Sequence, residues 1–318
     1  MSTAVLPSAD PSALMRIKSL QLRAKAVVEG FYNGLHRSPY HGYSVEFNEY
    51  RPYTVGDDLR ALDWKLFARS DRYYIKKFED ETTRRCYLVV DQSRSMAFGS
   101  LDYTKLEYAQ TLAATLAYYL SNQRDSVGLM TFDETIGEFL SARNRPGHLR
   151  SMLVALSRPV AGKGTDIDTP LRQIAALVSR RGLIVLISDM LSPIETLQTN
   201  LAYLRSRGHE VMILRVLDPG ELELGLKSPG MIVDMESGKE IYLDPDVART
   251  SYREKFAKHQ SQLKTICSSL GVEIFDMMTD APIEQALFHV ISVQKRRSAG
   301  ANRAGMIAGG SSARMASS

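Results

Sequence analysis

The pattern of apolar and polar positions divides much of the chain into short buried strands separated by amphipathic helices. Two apolar runs, Leu88–Val90 and Leu183–Ile187, are short and continuous, which is typical of strands covered on both faces. Between them, Lys105–Asn122 repeats apolar residues at spacings of three and four, as in a helix with one buried face. This alternation predicts an α/β fold with a doubly wound, mostly parallel sheet and right-handed crossovers.

One pair of predicted strands departs from the parallel arrangement. Asp125–Phe132 and Ile136–Leu140 flank the short turn Asp133–Thr135, which predicts a tight hairpin and an antiparallel edge strand. Ser192–Glu195 has the form of a capping box with proline at the first helical position. The other predicted helices are His148–Arg158, Asp168–Arg180, Val247–Leu270 and Pro282–Val293; the other strands are Val211–Val216 and Val272–Met277, with a hairpin over Met231–Leu243.

The two ends of the chain lack this regular alternation. Residues 1–15 are small, polar and interrupted by proline, so we expect them to be mobile, and residues 16–35 carry a helical stripe that should end near Gly30 to Gly34. Beyond Ser298 the chain is rich in Gly, Ala and Ser without periodicity, which predicts disorder. The predicted division is a small N-terminal segment (1–83) packed on an α/β domain (84–297), followed by a disordered tail (298–318).

Composition narrows the environment in which we expect the protein to work. The chain has 318 residues, 44% apolar and 24% charged, an ordinary globular composition. No apolar run approaches the roughly 18 residues of a membrane span, and Met1–Asp10 has no basic stretch followed by an apolar one, as a secretory signal would. Cys86 and Cys267 are the two cysteines, so a disulfide framework is not expected. We therefore predict a cytoplasmic protein.

The positive charge is concentrated at the C-terminal end. The formal net charge is +4, while Lys295, Arg296, Arg297, Arg303 and Arg314 give the last 24 residues +5 with no acid. The rest of the chain is therefore close to neutral, at −1. A near-neutral body with a basic tail does not predict specific nucleic-acid binding.

Hydroxyl and carboxylate side chains gather where the predicted central strands end. Asp91, Ser93 and Ser95 follow the first buried run, and Asp189 follows the second. Thr165 lies in the loop Gly162–Asp166. If the two strands are neighbours where the strand order reverses, their carboxyl ends form the crevice in which such folds bind ligands. Hard oxygen donors of this kind suit Mg²⁺, although a strand-end Asp with serines can also simply cap the next helix.

The spacing of these five residues resembles the metal-ion-dependent adhesion site of von Willebrand factor A (vWA) domains. The resemblance implies that Ser93, Ser95 and Thr165 ligate Mg²⁺ (or Mn²⁺ or Ca²⁺) directly, and that Asp91 and Asp189 act largely through water. It also implies an open coordination position for an Asp or Glu carboxylate of a protein partner. The expected function is then interaction rather than catalysis.

A second group of motifs precedes the α/β domain. Glu46-Phe47, Arg51-x-Tyr53, Gly56-Asp57-Asp58-x-Arg60, and Asp63-Trp64 ahead of Ala68-Arg69 resemble the signature of a bacterial family called domain of unknown function 58. Members of that family join such a segment to a vWA-like domain and often occur with MoxR-type AAA+ ATPases, which the resemblance implies as partners. The alternative for Asp57, Asp58, Arg60 and Asp63 is a salt-bridged structural turn.

A different class of function remains open at the same residues. An Asp at the end of the first strand of a parallel sheet can also be the nucleophile of a Mg²⁺-dependent phosphoryl-transfer hydrolase, here Asp91. That chemistry usually requires a second carboxylate two residues later, where this chain has Ser93, a poor proton donor near neutral pH. A nucleotide-triphosphatase is not favoured, because Gly162-Lys-Gly-Thr165 is too short for a phosphate-binding loop.

Overall fold

The computed structural model describes residues 10–37, 50–52, 67, 73–76, 84–158, 167–178, 180–222, 230–233, 240–243 and 245–294. The block 42–69 with its family motifs lies almost entirely outside these residues, as do Thr165 and the tail. The predicted roles of Asp57, Asp58, Arg60 and Asp63 therefore stay predictions.

A mostly parallel sheet forms the centre of the described fold. Its strands run in the order β10-β7-β6-β3-β4-β5, and only the pairing of β4 with β5 is antiparallel. Two small antiparallel sheets pair β1 with β2 and β8 with β9. The strands are Tyr50–Pro52 (β1), Tyr74–Lys76 (β2), Arg85–Asp91 (β3), Ser126–Phe132 (β4), Ile136–Arg143 (β5), Leu183–Ser188 (β6), Glu210–Leu217 (β7), Gly230–Val233 (β8), Glu240–Leu243 (β9) and Glu273–Met278 (β10).

Helices cover both faces of this sheet. They are Pro11–Met15 (α1), Leu20–Arg37 (α2), Lys105–Asn122 (α3), His148–Leu156 (α4), Asp168–Leu177 (α5), Ile194–Ser206 (α6), Pro219–Leu222 (α7), Pro245–Leu270 (α8) and residues 284–294 (α9). Helices α1 to α4 and α9 share one apolar core with the sheet, and α5, α6 and α8 share the other. Because successive residues of a strand point to opposite faces, Leu88 and Val90 enter the first core while Val89 enters the second. The predicted α/β class and its antiparallel edge strand are confirmed.

The strand order reverses between β3 and β6. From β3 the chain builds β4 and β5 on one side, and β6, β7 and β10 on the other. The carboxyl ends of β3 and β6 therefore meet at a topological switch point, where open α/β sheets bind ligands. This places the predicted residues of both strand ends at one edge of the sheet.

The N-terminal helices belong to this packed body. Ala24, Val27 and Phe31 of α2 are buried against the first core, and the Phe31 ring meets that of Phe288 in α9 at 4.8 Å between centroids. The guanidinium of Arg23 also donates to the hydroxyl of Thr111 in α3 at 3.1 Å. In the described part of the chain, no helix is long and apolar enough to cross a membrane.

Three local predictions were wrong. Residues 11–15 form α1, because Asp10 caps its N-terminus and Leu14 finds a place in the core. Helix α2 continues past Gly30 and Gly34 to Arg37, since its buried face outweighs the poor helix propensity of glycine. The capping box at Ser192 is absent, because α6 begins one residue later than predicted and Pro193 occupies the cap position.

Candidate functional site

The carboxylate of Asp91 is fixed at the end of β3. It is 1% exposed, and each of its oxygens accepts one hydrogen bond. The backbone N–H of Ser93 donates to Oδ1 at 2.8 Å, and the hydroxyl of Ser188, at the end of β6, donates to Oδ2 at 2.6 Å. Asp91 thus ties together the ends of the two central strands.

The two serines of the motif place their hydroxyls side by side. After Asp91 the chain turns into a short 3-10 helix, Arg94–Ala97, with Ser93 at its cap position. The hydroxyl oxygens of Ser93 and Ser95 are 3.1 Å apart; Ser93 is buried and Ser95 is partly exposed. The pair therefore presents two neutral oxygen donors beside Asp91.

Asp189 follows β6 in a constrained turn. Its Oδ1 accepts a hydrogen bond from the N–H of Leu191 at 3.2 Å, and Met190 between them has a positive φ of 56°. A buried methionine in the left-handed region is strained, and such strain is often found at functional sites. The turn holds the Asp189 carboxylate buried near Asp91.

The negative charge of Asp189 affects the pKa of Asp91. Burial, and then the negative charge of Asp189, raise the pKa of Asp91 to about 6, although the hydrogen bonds from Ser188 and Ser93 act in the opposite direction. Two closely placed carboxylates in a buried position destabilise each other when both are ionised. A cation between them would relieve this repulsion.

The site also contains a lysine that the sequence motif did not predict. Lys105, the first residue of α3, is fully buried, and its ammonium lies 2.8 Å from Oδ2 of Asp189 and 2.5 Å from Oε1 of Glu221 in α7. Burial lowers the pKa of this ammonium, but the two carboxylates outweigh burial and the net direction is upward. Burial raises the pKa of Glu221 by more than the ammonium of Lys105 lowers it. The contact of 2.5 Å nevertheless identifies Lys105 and Glu221 as a charged pair.

Glu221 is held by a network that joins three loops. Its Oε2 accepts from the N–H of Asp218 at 3.3 Å. The buried Asp218 carboxylate accepts hydrogen bonds from the N–H and hydroxyl of Ser100, from the N–H of Gly220 and from the hydroxyl of Thr279. Burial raises the pKa of Asp218, but these hydrogen bonds outweigh it and the net direction is downward. The loops after β3, β7 and β10 therefore meet behind Lys105.

The site fits a hard divalent cation in the kind of donor it offers. Ser93, Ser95, Asp91 and Asp189 come together as predicted, whereas Thr165 lies outside the described residues. Hydroxyl and carboxylate oxygens are the donors that Mg²⁺ prefers. Across the described ranges, no group of three or more His, Cys, Asp or Glu side chains is arranged to hold a metal. A metal here would therefore depend on the hydroxyls as much as on the two aspartates.

A doubly wound sheet with an antiparallel edge strand, carrying these side chains at its switch point, defines a vWA-like α/β protein. A family model described as "Protein of unknown function DUF58" matches residues 49–265, and the chain belongs to that family. The match includes residues 49–69 of the block 42–69 and all of the candidate site residues.

Relatives and solved structures are similar to this chain over much of its length. An uncharacterized protein of Mycobacterium tuberculosis is 28% identical over 276 residues, covering 85% of this chain and 86% of the relative. A shorter uncharacterized protein of Mycobacterium avium is 31% identical over 134 residues, 42% of this chain and 77% of the relative. Among solved structures, the conserved hypothetical protein BatB from Bacteroides thetaiotaomicron has a TM-score of 0.43 at 16% identity, covering 67% of this chain and 99% of that one. The SpRpn10 VWA domain has a TM-score of 0.40 at 15% identity, covering 64% and 94%.

Proposed function

We propose that the protein is a metal-dependent protein-interaction module whose docking point is the carboxyl edge of β3 and β6. The observation that carries the proposal is the meeting of Asp91, Ser93, Ser95 and Asp189 where the strand order reverses. Hydrogen bonds among Asp91, Ser93 and Ser95 already hold these three side chains in position, and Asp189 is held separately by the N–H of Leu191 and the ammonium of Lys105.

Each residue has a distinct part in this proposal. The hydroxyls of Ser93, Ser95 and Thr165 would hold Mg²⁺, or Mn²⁺ or Ca²⁺, while Asp91 and Asp189 would orient its waters. When bound, the cation supplies an open position that attracts a carboxylate oxygen. Neutral hydroxyls leave part of the ion's charge uncompensated, so an Asp or Glu of a protein partner would complete both the shell and the charge balance.

The surroundings of the site leave room for a partner segment. A groove of about 440 Å³ runs between the N-terminal ends of α5 and α6, beginning at Ser192, three residues after Asp189. Its walls include Asp168, Arg172 and Thr196, which offer charges of both signs and hydroxyls. As the partner we propose a MoxR-type AAA+ ATPase, on the family resemblance of the N-terminal motifs.

The alternative, phosphoryl transfer with Asp91 as nucleophile, has less support. Both oxygens of Asp91 already accept hydrogen bonds in a buried position, and Ser93 stands where an acid or base would be needed. Turnover of p-nitrophenyl phosphate that disappears in Asp91→Asn would favour this alternative over the interaction module.

The proposal is tested by Ser93→Ala, with Ser151→Ala as the matched control. Ser151 is exposed on α4. His148 of the same helix is hydrogen-bonded to Val127 at the amino end of β4, whereas the candidate site lies at the carboxyl ends of the strands. Removing the Ser93 hydroxyl takes away an oxygen ligand but no charge, so we expect Mg²⁺ affinity by calorimetry to fall about tenfold or more. The melting temperature should fall by no more than about 4 °C, since one partly buried hydrogen bond, between the hydroxyls of Ser93 and Ser95, is lost.

Capture of the ATPase must keep Mg²⁺ and nucleotide constant, because chelation would also strip the ATPase of its own Mg²⁺. We expect Ser93→Ala to retain much less MoxR-type ATPase than wild type, and Ser151→Ala to retain as much. Equal retention by all three proteins would refute docking through the metal site.

A further inference from the structure

Lys105 places a fixed positive charge inside the candidate metal site. Its side chain is 0% exposed, and both of its described partners are carboxylates, Asp189 and Glu221. One of them, Asp189, is a predicted metal-site residue. The ammonium therefore already occupies one oxygen of a carboxylate that belongs to the site.

The position of Lys105 in its helix shows that this contact is specific. It is the first residue of α3, just after the Thr104 cap, where the helix dipole disfavours a cation. Burial of a lysine is also costly unless it is paired. Two carboxylates, one from the loop after β6 and one from α7, offset both costs.

The charges of the site can be balanced in two ways. Without metal, the ammonium compensates Asp189. With a divalent cation beside Asp189, the ammonium and the metal repel each other, and Glu221 is the carboxylate within reach that can keep the lysine paired. The metal, acting through its waters, and the lysine thus compete for the same carboxylate.

We propose that Lys105 is the resident counter-cation of this site, competing with the divalent cation for Asp189 and keeping Glu221 as its remaining partner when metal binds. The inference rests on the proposed function, because it assumes that a metal binds at Asp189. It makes Lys105 a residue that weakens and tunes metal affinity, in addition to its part in the fold.

A change in the pairing of Lys105 would also affect residues outside the site. Glu221 belongs to α7, and its other oxygen is bound to the N–H of Asp218, which is anchored to Ser100 and Thr279. A stronger pull of Lys105 on Glu221 would tighten α7 against these loops. Metal binding at the site would then affect α7, which directly follows β7.

The decisive variant is Lys105→Met, which removes the charge and keeps the length of the side chain. We expect its affinity for Mg²⁺ and Mn²⁺, measured by calorimetry on the full chain, to rise about tenfold or more, because one nearby positive charge is gone. Without metal its melting temperature should fall by several degrees, and Mg²⁺ should raise it more than it raises that of wild type. A purely structural lysine would give unchanged or weaker metal binding.

Glu221→Gln provides an independent readout if Lys105→Met does not fold. With Glu221 neutral, the ammonium has only Asp189 to pair with, so metal affinity should fall several-fold; an unchanged or higher affinity would overturn the proposal. The matched controls are Lys25→Met and Glu29→Gln, which break an exposed Lys–Glu pair on α2 at 3.5 Å and should leave metal binding unchanged.

Ser93→Ala separates this inference from the proposed function. If wild type binds metal, Ser93→Ala loses it and Lys105→Met does not bind more tightly, the role of Lys105 is wrong and the metal site stands. If neither wild type nor Lys105→Met binds metal, both proposals fail. Binding seen in Lys105→Met but not in wild type would support the competition strongly.

Discussion

One row of polar residues crosses four neighbouring strands, and its two halves behave differently. Asp91 is bound to Ser188, Ser188 is in register with Arg215 of β7, and Arg215 is in register with Asp276 of β10. In the first half, hydrogen bonds from serines hold a carboxylate. In the second half, an arginine is paired with an aspartate. Both halves lie in the same row of the sheet, so the difference between them comes from the neighbouring side chains.

The second half of the row is an ion pair that lies against α8. Arg215 is 1% exposed, its guanidinium carbon lies 5.8 Å from the Phe256 ring centroid, and its Nε is 2.8 Å from Oδ1 of Asp276 without the alignment of a hydrogen bond. Asp276 also accepts from Gln260 and lies 3.4 Å from Lys264. Such a pair stabilises the packing of α8 on the sheet, whereas the first half presents aligned hydroxyls. A shared row can therefore contain a structural ion pair beside a candidate binding site.

Removing Asp276 should give the largest effect on stability. Asp276→Ala leaves the buried Arg215 without its carboxylate, and we expect the free energy of unfolding to fall by about 3 kcal/mol. Arg215→Met leaves a partly exposed aspartate beside Lys264 and should change stability by less than about 1 kcal/mol. Urea unfolding measures both, and Mg²⁺ affinity should stay near wild type in each. Equal losses in the two variants would contradict the asymmetry.

Asp91→Asn should have a smaller effect of the opposite sign. The raised pKa of Asp91, about 6 against the usual 3.8, means that the folded state keeps a proton that the unfolded state releases between these values. Without metal, the stability contributed by Asp91 is therefore present at low pH and is lost as pH rises through about 6. With EDTA present, we expect Asp91→Asn to match wild type near pH 4 and to be more stable by on the order of 2 kcal/mol at pH 7. Parallel unfolding curves across this range would exclude the effect, and the variant should lose Mg²⁺ binding.

The smallest effect on stability is expected at His209, which directly precedes β7. Burial lowers the pKa of this imidazole, only partly offset by a hydrogen bond with the backbone of Val178. A lowered histidine pKa gives stability that is present above the usual value near 6.5 and is lost as pH falls below it. Urea unfolding of His209→Gln should show a shallower loss than wild type between pH 6.5 and 5. Comparison in the Asp91→Asn background removes the opposing contribution of Asp91, and an unchanged slope there would contradict the prediction.

The central architecture could be predicted because its signals are local and repeated. The apolar runs before Asp91 and Asp189 identify buried strands, and the alternation of strands with helices identifies the parallel sheet. The helix over Lys105–Asn122 was predicted with the bounds that the structure shows. Helix α1 was missed because five residues give too short a pattern, and its burial depends on contacts with the distant core.

Lys105 could not be found from the metal motif, because its two partners lie 84 and 116 residues further along the chain. One signal was nonetheless visible in the sequence. A lysine directly after the Thr104 cap interacts unfavourably with the helix dipole, which suggests a specific carboxylate partner. Asp218 was missed for a similar reason. Its four hydrogen bonds come from Ser100, Gly220 and Thr279, and only the folded chain brings these residues together.

The contact between Phe31 and Phe288 has a consequence for how the protein is made. Helix α2 is synthesised before the two helices that cover it, α3 and then α9, and α9 comes at the end of the described chain. Until α9 emerges, the apolar face of α2 around Phe31 has only part of its native cover, and closing so long a loop is slow. Completion of the first core must wait until α9 has been synthesised, so nascent chains arrested before α9 should engage chaperones through α2.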